Sequence, residues 1–515
     1  MRTLAIAFLA AALLQAQPGK QAEVDKIFSA FNTHTPGCSV GVSVKGQTVL
    51  KSGYGMADLE RNVPITADTI FESGSVAKQF TAAALILLAQ QGKISLDDPM
   101  RKYLPELPEY GTPLTIRHVL SHISGLREWR AVGAFSGFPE GKLVYTNQDL
   151  LDLASRQTAL NFEPGTNYSY TNTGFNISTI LIERALSNGK TFQDFTREMI
   201  FSPLGMTHSR WRDNFRTVIP NRALAYAKEG NGWIGDTPVE NIIGAGGLLT
   251  NVSDLLLWNE NFNHHKAGGP EMTKLQENTA TLKNGRKIIY AAGLQVSTFD
   301  GFREVSHSGA TGGYRTWLAR YPEQGVSVAV LCNAANANPT ALGRETARLW
   351  TGGKPNPANI SAALNPAVTG MYRLVRDNTD TQLQIRNGKM FLGTSELSPA
   401  DKFEGTTLTV STPTGDLVYQ KVEPVAPSSA ELAEFTGAYS SSETLTTIRV
   451  TFDGTALRYG IGNNLPVPLR PTFRDTFATP ANASIHFLRD ASGKISGLSA
   501  GESRVWDLRF TRIAK

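Results

Sequence analysis

The chain has 515 residues, 41% of them hydrophobic and 18% charged, with a formal net charge of +5. This is ordinary globular usage, long enough for roughly two to four domains and a sizeable core. Lys and Arg are scattered rather than clustered, which argues against nucleic acid as a partner, and two cysteines are too few for a disulfide scaffold.

Residues 1–17 read as a secretory signal: Arg2 gives a short positive start, 4–14 are apolar, and Leu14-Gln15-Ala16 is a cleavage site. The apolar stretch is too short to span a bilayer as a mature helix. Export to a bacterial periplasm or the medium is expected, with no stable membrane insertion after cleavage. Residues 37–56 predict a β-hairpin that alternates on both arms about Lys45-Gly46-Gln47. Cys38 opens its first arm and Cys332 closes a strand-like run at 326–332. Taken alone, both read as buried small hydrophobes in preference to a bridge. A long apolar helix follows, introduced by Phe71-Glu72-Ser73-Gly74-Ser75-Val76-Ala77-Lys78-Gln79-Phe80 and ended at Gly92. From about 95 to 265 the pattern is mostly helical, and strands return at 288–295, 303–308, 315–321 and 326–332. Strands at both ends with helices between them give an α+β domain over 18–352, its antiparallel sheet closed by the two ends of the segment.

Residues 353–366 read as a linker rich in proline and small residues. Beyond it lies an internal repeat. Thr369-Gly370-Met371-Tyr372 recurs as Thr436-Gly437-Ala438-Tyr439, each followed by an alternating run and a turn, Asn387-Gly388 and then Asp453-Gly454. Two small all-β domains are expected, barrels or sandwiches, at 367–426 and 427–515.

Ser75 and Lys78 carry the first chemical signal. Three residues apart on a helix they share a face, and an unprotonated amine is a base that can activate a serine. Bringing a lysine from about 10.4 to about 7 needs roughly 4–5 kcal/mol, which burial and a second cation can supply. Ser187-Asn188-Gly189-Lys190 has the same spacing, but Asn-Gly marks a turn there. An activated serine also needs a proton route to the leaving group, a clamp on the substrate and an oxyanion hole. Tyr170 and Asn172 stand on a loop after Pro164-Gly165, and His307-Ser308-Gly309-Ala310 ends or bends a strand whose edge can offer the Ala310 N–H. The rival Tyr145-Thr146-Asn147 sits directly ahead of a helix, and Lys266-Ala267-Gly268 lies in a polar loop without a strand. Gly37-Cys38-Ser39-Val40-Gly41 matches a nucleophile elbow but runs into a strand. His118 and His122 have zinc-site spacing with Val119 where a glutamate is needed. No metal or other cofactor is implied.

The order Ser75-x-x-Lys78, Tyr170-x-Asn172, His307-x-Gly309 resembles the serine β-lactamase and penicillin-binding-protein superfamily. The branch is the one holding class C β-lactamases, D-alanyl-D-alanine carboxypeptidases, esterases and D-aminopeptidases. Leu120-Ser121-His122-Ile123-Ser124-Gly125-Leu126, Pro203-Leu204-Gly205-Met206 and Gly244-Ala245-Gly246-Gly247-Leu248 are similar to that branch too. The resemblance implies a β-lactamase/transpeptidase-like catalytic domain, an antiparallel sheet with helices plus a helical subdomain. It implies Ser75 as nucleophile, Lys78 as its base, Tyr170 as proton shuttle and Asn172 as substrate clamp. The oxyanion hole falls to the N–H groups of Ser75 and Ala310, beside Gly309. It also places the first and last strands side by side, so that Cys38 and Cys332 become neighbours for which a bridge is admissible. His307 stands where β-lactamases and carboxypeptidases usually carry lysine. That departure, with the two β domains, resembles D-aminopeptidases, and the repeats are similar to lipocalin-like barrels. The implied function is an exported serine hydrolase working through an acyl-enzyme on a small-molecule or peptide substrate with a D-residue. The alternatives are an esterase, a β-lactamase or carboxypeptidase, and a penicillin-binding protein without turnover. The oligomeric state stays open.

Overall fold

A computed structural model describes residues 18–138, 141, 143–354 and 361–513. The signal-like segment 1–17 and part of the expected linker, 355–360, lie outside the described residues. Among the described residues no helix is long and apolar enough to cross a membrane.

The first domain is organised by six antiparallel strands: β1 (Cys38–Val44), β2 (Gln47–Tyr54), β3 (Gln295–Phe299), β4 (Phe302–Thr311), β5 (Tyr314–Tyr321) and β6 (Val326–Cys332). Their order is β3-β4-β5-β6-β1-β2, so the ends of the segment close on each other at β6 and β1. Alternation decides which side chains face where. Cys38, Val40 and Val42 of β1 join Val326, Val328, Val330 and Cys332 of β6 in one core with Val24 of the helix Pro18–Ile27, Phe28 just beyond it, and Ala347 of the helix Pro339–Thr351. On the other face Gly41 leaves room for Val252 and Leu256 of the helix Val252–His264. The helix Lys78–Gln90 is buried along its whole length from Lys78 to Leu88, as expected of a helix apolar on all sides.

Two expectations are corrected. The run 288–295 is not a strand: the chain turns at Ala291–Leu294, where the Ala291 N–H bonds the Leu294 carbonyl at 2.8 Å, and β3 begins only at Gln295. In addition, β4 neither ends nor bends at His307. It stays in register with β5 through Thr311↔Tyr314, while β3 covers it only as far as Ser306. The edge of β4 beyond Ser306 is therefore left without a strand partner.

Cys38 and Cys332 are register partners and form a disulfide, with Cα atoms 4.0 Å apart. Both are fully buried, so the reading of two separate small hydrophobes holds for their packing and fails for their bonding. The bridge closes a separation of 294 residues, and removing a native bridge typically costs about 2–5 kcal/mol. The Cys38→Ser, Cys332→Ser double variant is expected to melt several degrees lower by calorimetry while keeping its circular dichroism.

Two all-β domains follow. Strands within 370–421 form a seven-stranded sheet, and strands within 437–512 form a nine-stranded one. The nine-stranded sheet begins at Val467–Pro468 and ends at Arg470–Pro471, so its two edges flank a single residue and the barrel is nearly closed. The repeat has a shared physical basis: Tyr372 donates to the Val368 carbonyl at 2.8 Å, and Tyr439 to the Phe435 carbonyl at 2.7 Å. Both domains touch the first one close to its cavity. Arg286 donates to the Thr412 carbonyl at 2.6 Å, and Arg127 pairs with Glu443 at 2.9 Å in a buried contact.

Candidate active site

Ser75 lies in a 3-10 turn, Gly74–Ala77, and Lys78 opens the α-helix behind it. In a 3-10 turn positions i and i+3 eclipse, which brings Lys78 Nζ to 3.1 Å from Ser75 Oγ. The amine is completely buried and has two further partners, Asn172 Oδ1 at 2.7 Å and the Ala245 carbonyl at 2.9 Å. A neutral amine has two N–H donors and one lone pair. The two carbonyl oxygens use the donors, and the lone pair is left for the Ser75 hydroxyl. Desolvation pushes the Lys78 pKa well below the usual lysine range; Glu128 opposes that, and Arg130 and Arg504 reinforce it.

Asn172 is held by Glu128, whose carboxylate accepts from the Asn172 backbone N–H at 2.6 Å and from Nδ2 at 3.0 Å. Its side chain is thus committed first to Lys78 and Glu128, which leaves one N–H and one lone pair for a ligand. Tyr170 lies with its ring 4.9 Å from Lys78 Nζ. Burial raises its pKa, and hydrogen bonding with Ser75 and the charge of Arg504 pull it back.

β4 crosses directly over the Ser75 turn. A Cβ on Gly309 would fall 2.1 Å from the Ser73 carbonyl oxygen and 3.0 Å from the Ser75 nitrogen, so only glycine allows this approach. A Cβ on Gly74, whose φ is +50°, would meet the Ala310 nitrogen at 2.6 Å. The unpaired edge of β4 therefore brings the Ala310 and Ser75 amides together, as an oxyanion hole requires. His307 projects from β4 into the same cavity. Its Nδ1–H donates to the Ser308 carbonyl at 2.6 Å and its Nε2 accepts from the Tyr290 hydroxyl at 2.8 Å. Burial lowers its pKa to about 3, which a proton on Lys78 would reinforce and the Ser308 carbonyl opposes. It is a neutral imidazole at physiological pH.

Ser75, Tyr170, Asn172, His307, Gly309 and Ala310 line one cavity of about 640 Å³, with Lys78 beneath Ser75. Every site residue expected from the sequence is thus in one place. The rivals are elsewhere: Ser187 is an exposed left-handed helix end, Ser39 is buried inside β1, Lys266 is exposed in a turn, and Tyr145 donates to the Phe138 carbonyl. His122 is a packing group, its Nδ1 accepting from the Thr171 N–H at 3.2 Å and its ring 4.1 Å from that of Tyr170. Sequence reasoning missed Glu128, Tyr290, Arg130, Glu240 and Arg504. Only Glu128 had a local cue, two residues after the Leu120–Leu126 stretch.

The D-aminopeptidase of Brucella melitensis biotype 2 (strain ATCC 23457) is 28% identical over 509 residues, covering 91% of this chain and 94% of that protein. Penicillin-binding protein 4* of Bacillus subtilis (strain 168) is 28% identical over 379 residues, 67% of this chain and 81% of its own. The octameric penicillin-binding protein homologue from Pyrococcus abyssi shares the fold over 96% of this chain and 99% of its own, with a TM-score of 0.59 at 19% identity. The D-amino acid amidase of Ochrobactrum anthropi SV3, complexed with L-phenylalanine amide, shares it over 65% of this chain and 98% of its own, with a TM-score of 0.55 at 22% identity. The model of the Beta-lactamase family matches residues 24–351, and this chain belongs to that family as a serine hydrolase.

Proposed function

We propose that the chain is a D-aminopeptidase-like hydrolase that cleaves amides, peptides or esters of D-residues through an acyl-enzyme on Ser75. In this reading the Lys78 lone pair takes the Ser75 proton as Oγ attacks the carbonyl carbon. The Ser75 and Ala310 amides hold the developing oxyanion. Tyr170 then delivers its proton to the departing nitrogen or oxygen and takes one back from Lys78, and water later repeats the sequence to free the acid. The similarity to D-aminopeptidases over nearly the whole chain, both β domains included, supports the substrate class. The signal-like segment and the disulfide, a bond of oxidising compartments, support export.

The observation that carries the substrate class is the state of His307. Neutral, with Nδ1–H tied to a carbonyl and Nε2 to Tyr290, it offers no positive charge for a carboxylate beside the scissile bond. Substrates without one, D-amino acid amides and esters, are preferred over penicillins. Steady-state assays with a panel of D-amino acid amides, p-nitrophenyl esters and nitrocefin test this. The His307→Lys variant should raise penicillin acylation relative to amide hydrolysis about ten- to hundredfold, the worth of one charge-assisted hydrogen bond of ~1.5–3 kcal/mol. Rapid nitrocefin turnover by the wild type that lysine does not improve would make the protein a β-lactamase. One stoichiometric burst without turnover on every substrate would make it a penicillin-binding sensor.

A further inference from the structure

Tyr170 has a neighbour from the far end of the chain. The hairpin formed by strands Ile495–Glu502 and Val505–Arg512 of the second barrel turns at Ser503 and Arg504. The Arg504 guanidinium lies over the Tyr170 ring, 5.0 Å from its centre, and lines the Ser75 cavity. Its backbone is fastened to the first domain at the same point. The Arg504 carbonyl accepts from the Glu128 N–H at 3.3 Å and from Asn161 Nδ2 at 2.8 Å, and the Trp506 N–H donates to Asn161 Oδ1 at 3.0 Å. Next to Glu128, Arg127 makes the buried pair with Glu443 of the same barrel. The tip is thus anchored to the residue that orients Asn172.

Three arginines line the cavity and their partners differ: Arg315 donates to the Gly312 and Tyr314 carbonyls at 2.6 and 2.8 Å. Arg130 faces Glu128 at 3.8 Å and Glu240 at 3.7 Å, whereas no carboxylate stands within ion-pair distance of the Arg504 guanidinium among the described residues. β4 contributes only the neutral His307. We propose that Arg504 is a positioning residue of the active site, which fixes the Tyr170 ring and supplies a permanent positive charge to the Ser75–Lys78–Tyr170 group. The cation rests on the electron-rich ring face, where it favours the loss of a proton from the group as a whole. Lys78 and Tyr170 both feel that charge, so the effect does not depend on which of them releases the proton.

The proposal rests on the acyl-enzyme reading above, and its test separates the two. Groups facing the pair from the surrounding elements are Tyr168, His122, Tyr290, His307, Glu128, Arg130 and Arg504; only Arg504 is altered. The pH profile of kcat/KM is measured with p-nitrophenyl acetate, an uncharged probe, on the full-length protein. In Arg504→Met the acid limb is expected to move up by about one pH unit, a tenfold loss on that limb, with a plateau changed only a few-fold. Arg504→Lys should restore the limb towards wild type. If the methionine variant does not fold, Arg504→Gln removes the charge with a polar head in place. An unmoved acid limb in a folded, uncharged variant overturns the proposal. So does a rise in KM confined to anionic substrates, which would make Arg504 a substrate ligand. Wild-type protein that shows no acylation of Ser75 by mass spectrometry overturns the acyl-enzyme reading instead.

Discussion

Ser75→Ala is expected to abolish hydrolysis of every substrate the wild type accepts, leaving the melting temperature within a degree or two. Ser75 Oγ contributes to the structure only through Lys78 Nζ at 3.1 Å and its contact with Tyr170. The surrounding positions are set by other contacts: β4 against the turn at Gly309, and the Ser73 N–H on the Leu248 carbonyl at 2.8 Å. Neither of the two decoy serines can take over. Ser39 is enclosed in β1, and Ser187 lies at the exposed end of the helix Thr173–Leu186, in a left-handed conformation with φ +52°. Ser39→Ala and Ser187→Ala are therefore expected to keep rates within about twofold. A covalent serine probe followed by peptide mass spectrometry should place its adduct on Ser75. A label on any other residue, or activity surviving in Ser75→Ala, removes this site from the mechanism.

The sequence reveals those parts of the site whose geometry is local or fixed by motif order. The Ser75–Lys78 pair is one turn, and its apolar setting is visible in the residues that follow. The meeting of Cys38 and Cys332 is implied only by the family resemblance, which sets the first strand beside the last. The residues alone favour two separate small hydrophobes, and the register of β1 on β6 decides for the bridge. Glu128 meets Asn172 across 44 positions and Arg504 reaches Tyr170 from another domain. Neither meeting has a periodicity or a spacing that a linear reading could detect. The strand errors have a similar cause. Gly309 reads as a break in β4, yet it is there because β4 must pass within contact of the Ser73 carbonyl. The run 288–295 alternates like a strand, but tertiary contacts fold it into the turn that aims Tyr290 at His307. Local pattern loses to packing at both places, and both are places where the chain builds the cavity.

Lys78→Met and Tyr170→Phe should each lower kcat by about 10²–10⁴-fold, the usual worth of a positioned proton-transfer group. Methionine fills the volume of the lysine stem but offers no lone pair to the Ser75 hydroxyl. Phenylalanine keeps the ring beneath Arg504 and loses only the hydroxyl that faces Ser75. Tyr145→Phe is the control, because that hydroxyl is spent on the Phe138 carbonyl, and a few-fold change at most is expected. An equal loss in Tyr145→Phe and Tyr170→Phe would move the proton route to the other Tyr-Thr-Asn copy. Stability gives Lys78 a second, independent readout. Its folded pKa lies well below the unfolded value because of burial, so between the two the unfolded chain binds a proton that the native state lacks. Stability of the wild type must then rise with pH through that window, up to the ordinary lysine range. Methionine has no such proton. The melting temperature of Lys78→Met minus that of the wild type is therefore expected to be largest near pH 6 and to shrink steadily towards pH 9. A difference that stays constant with pH would mean that Lys78 is charged in the folded protein, and a charged Lys78 cannot be the base.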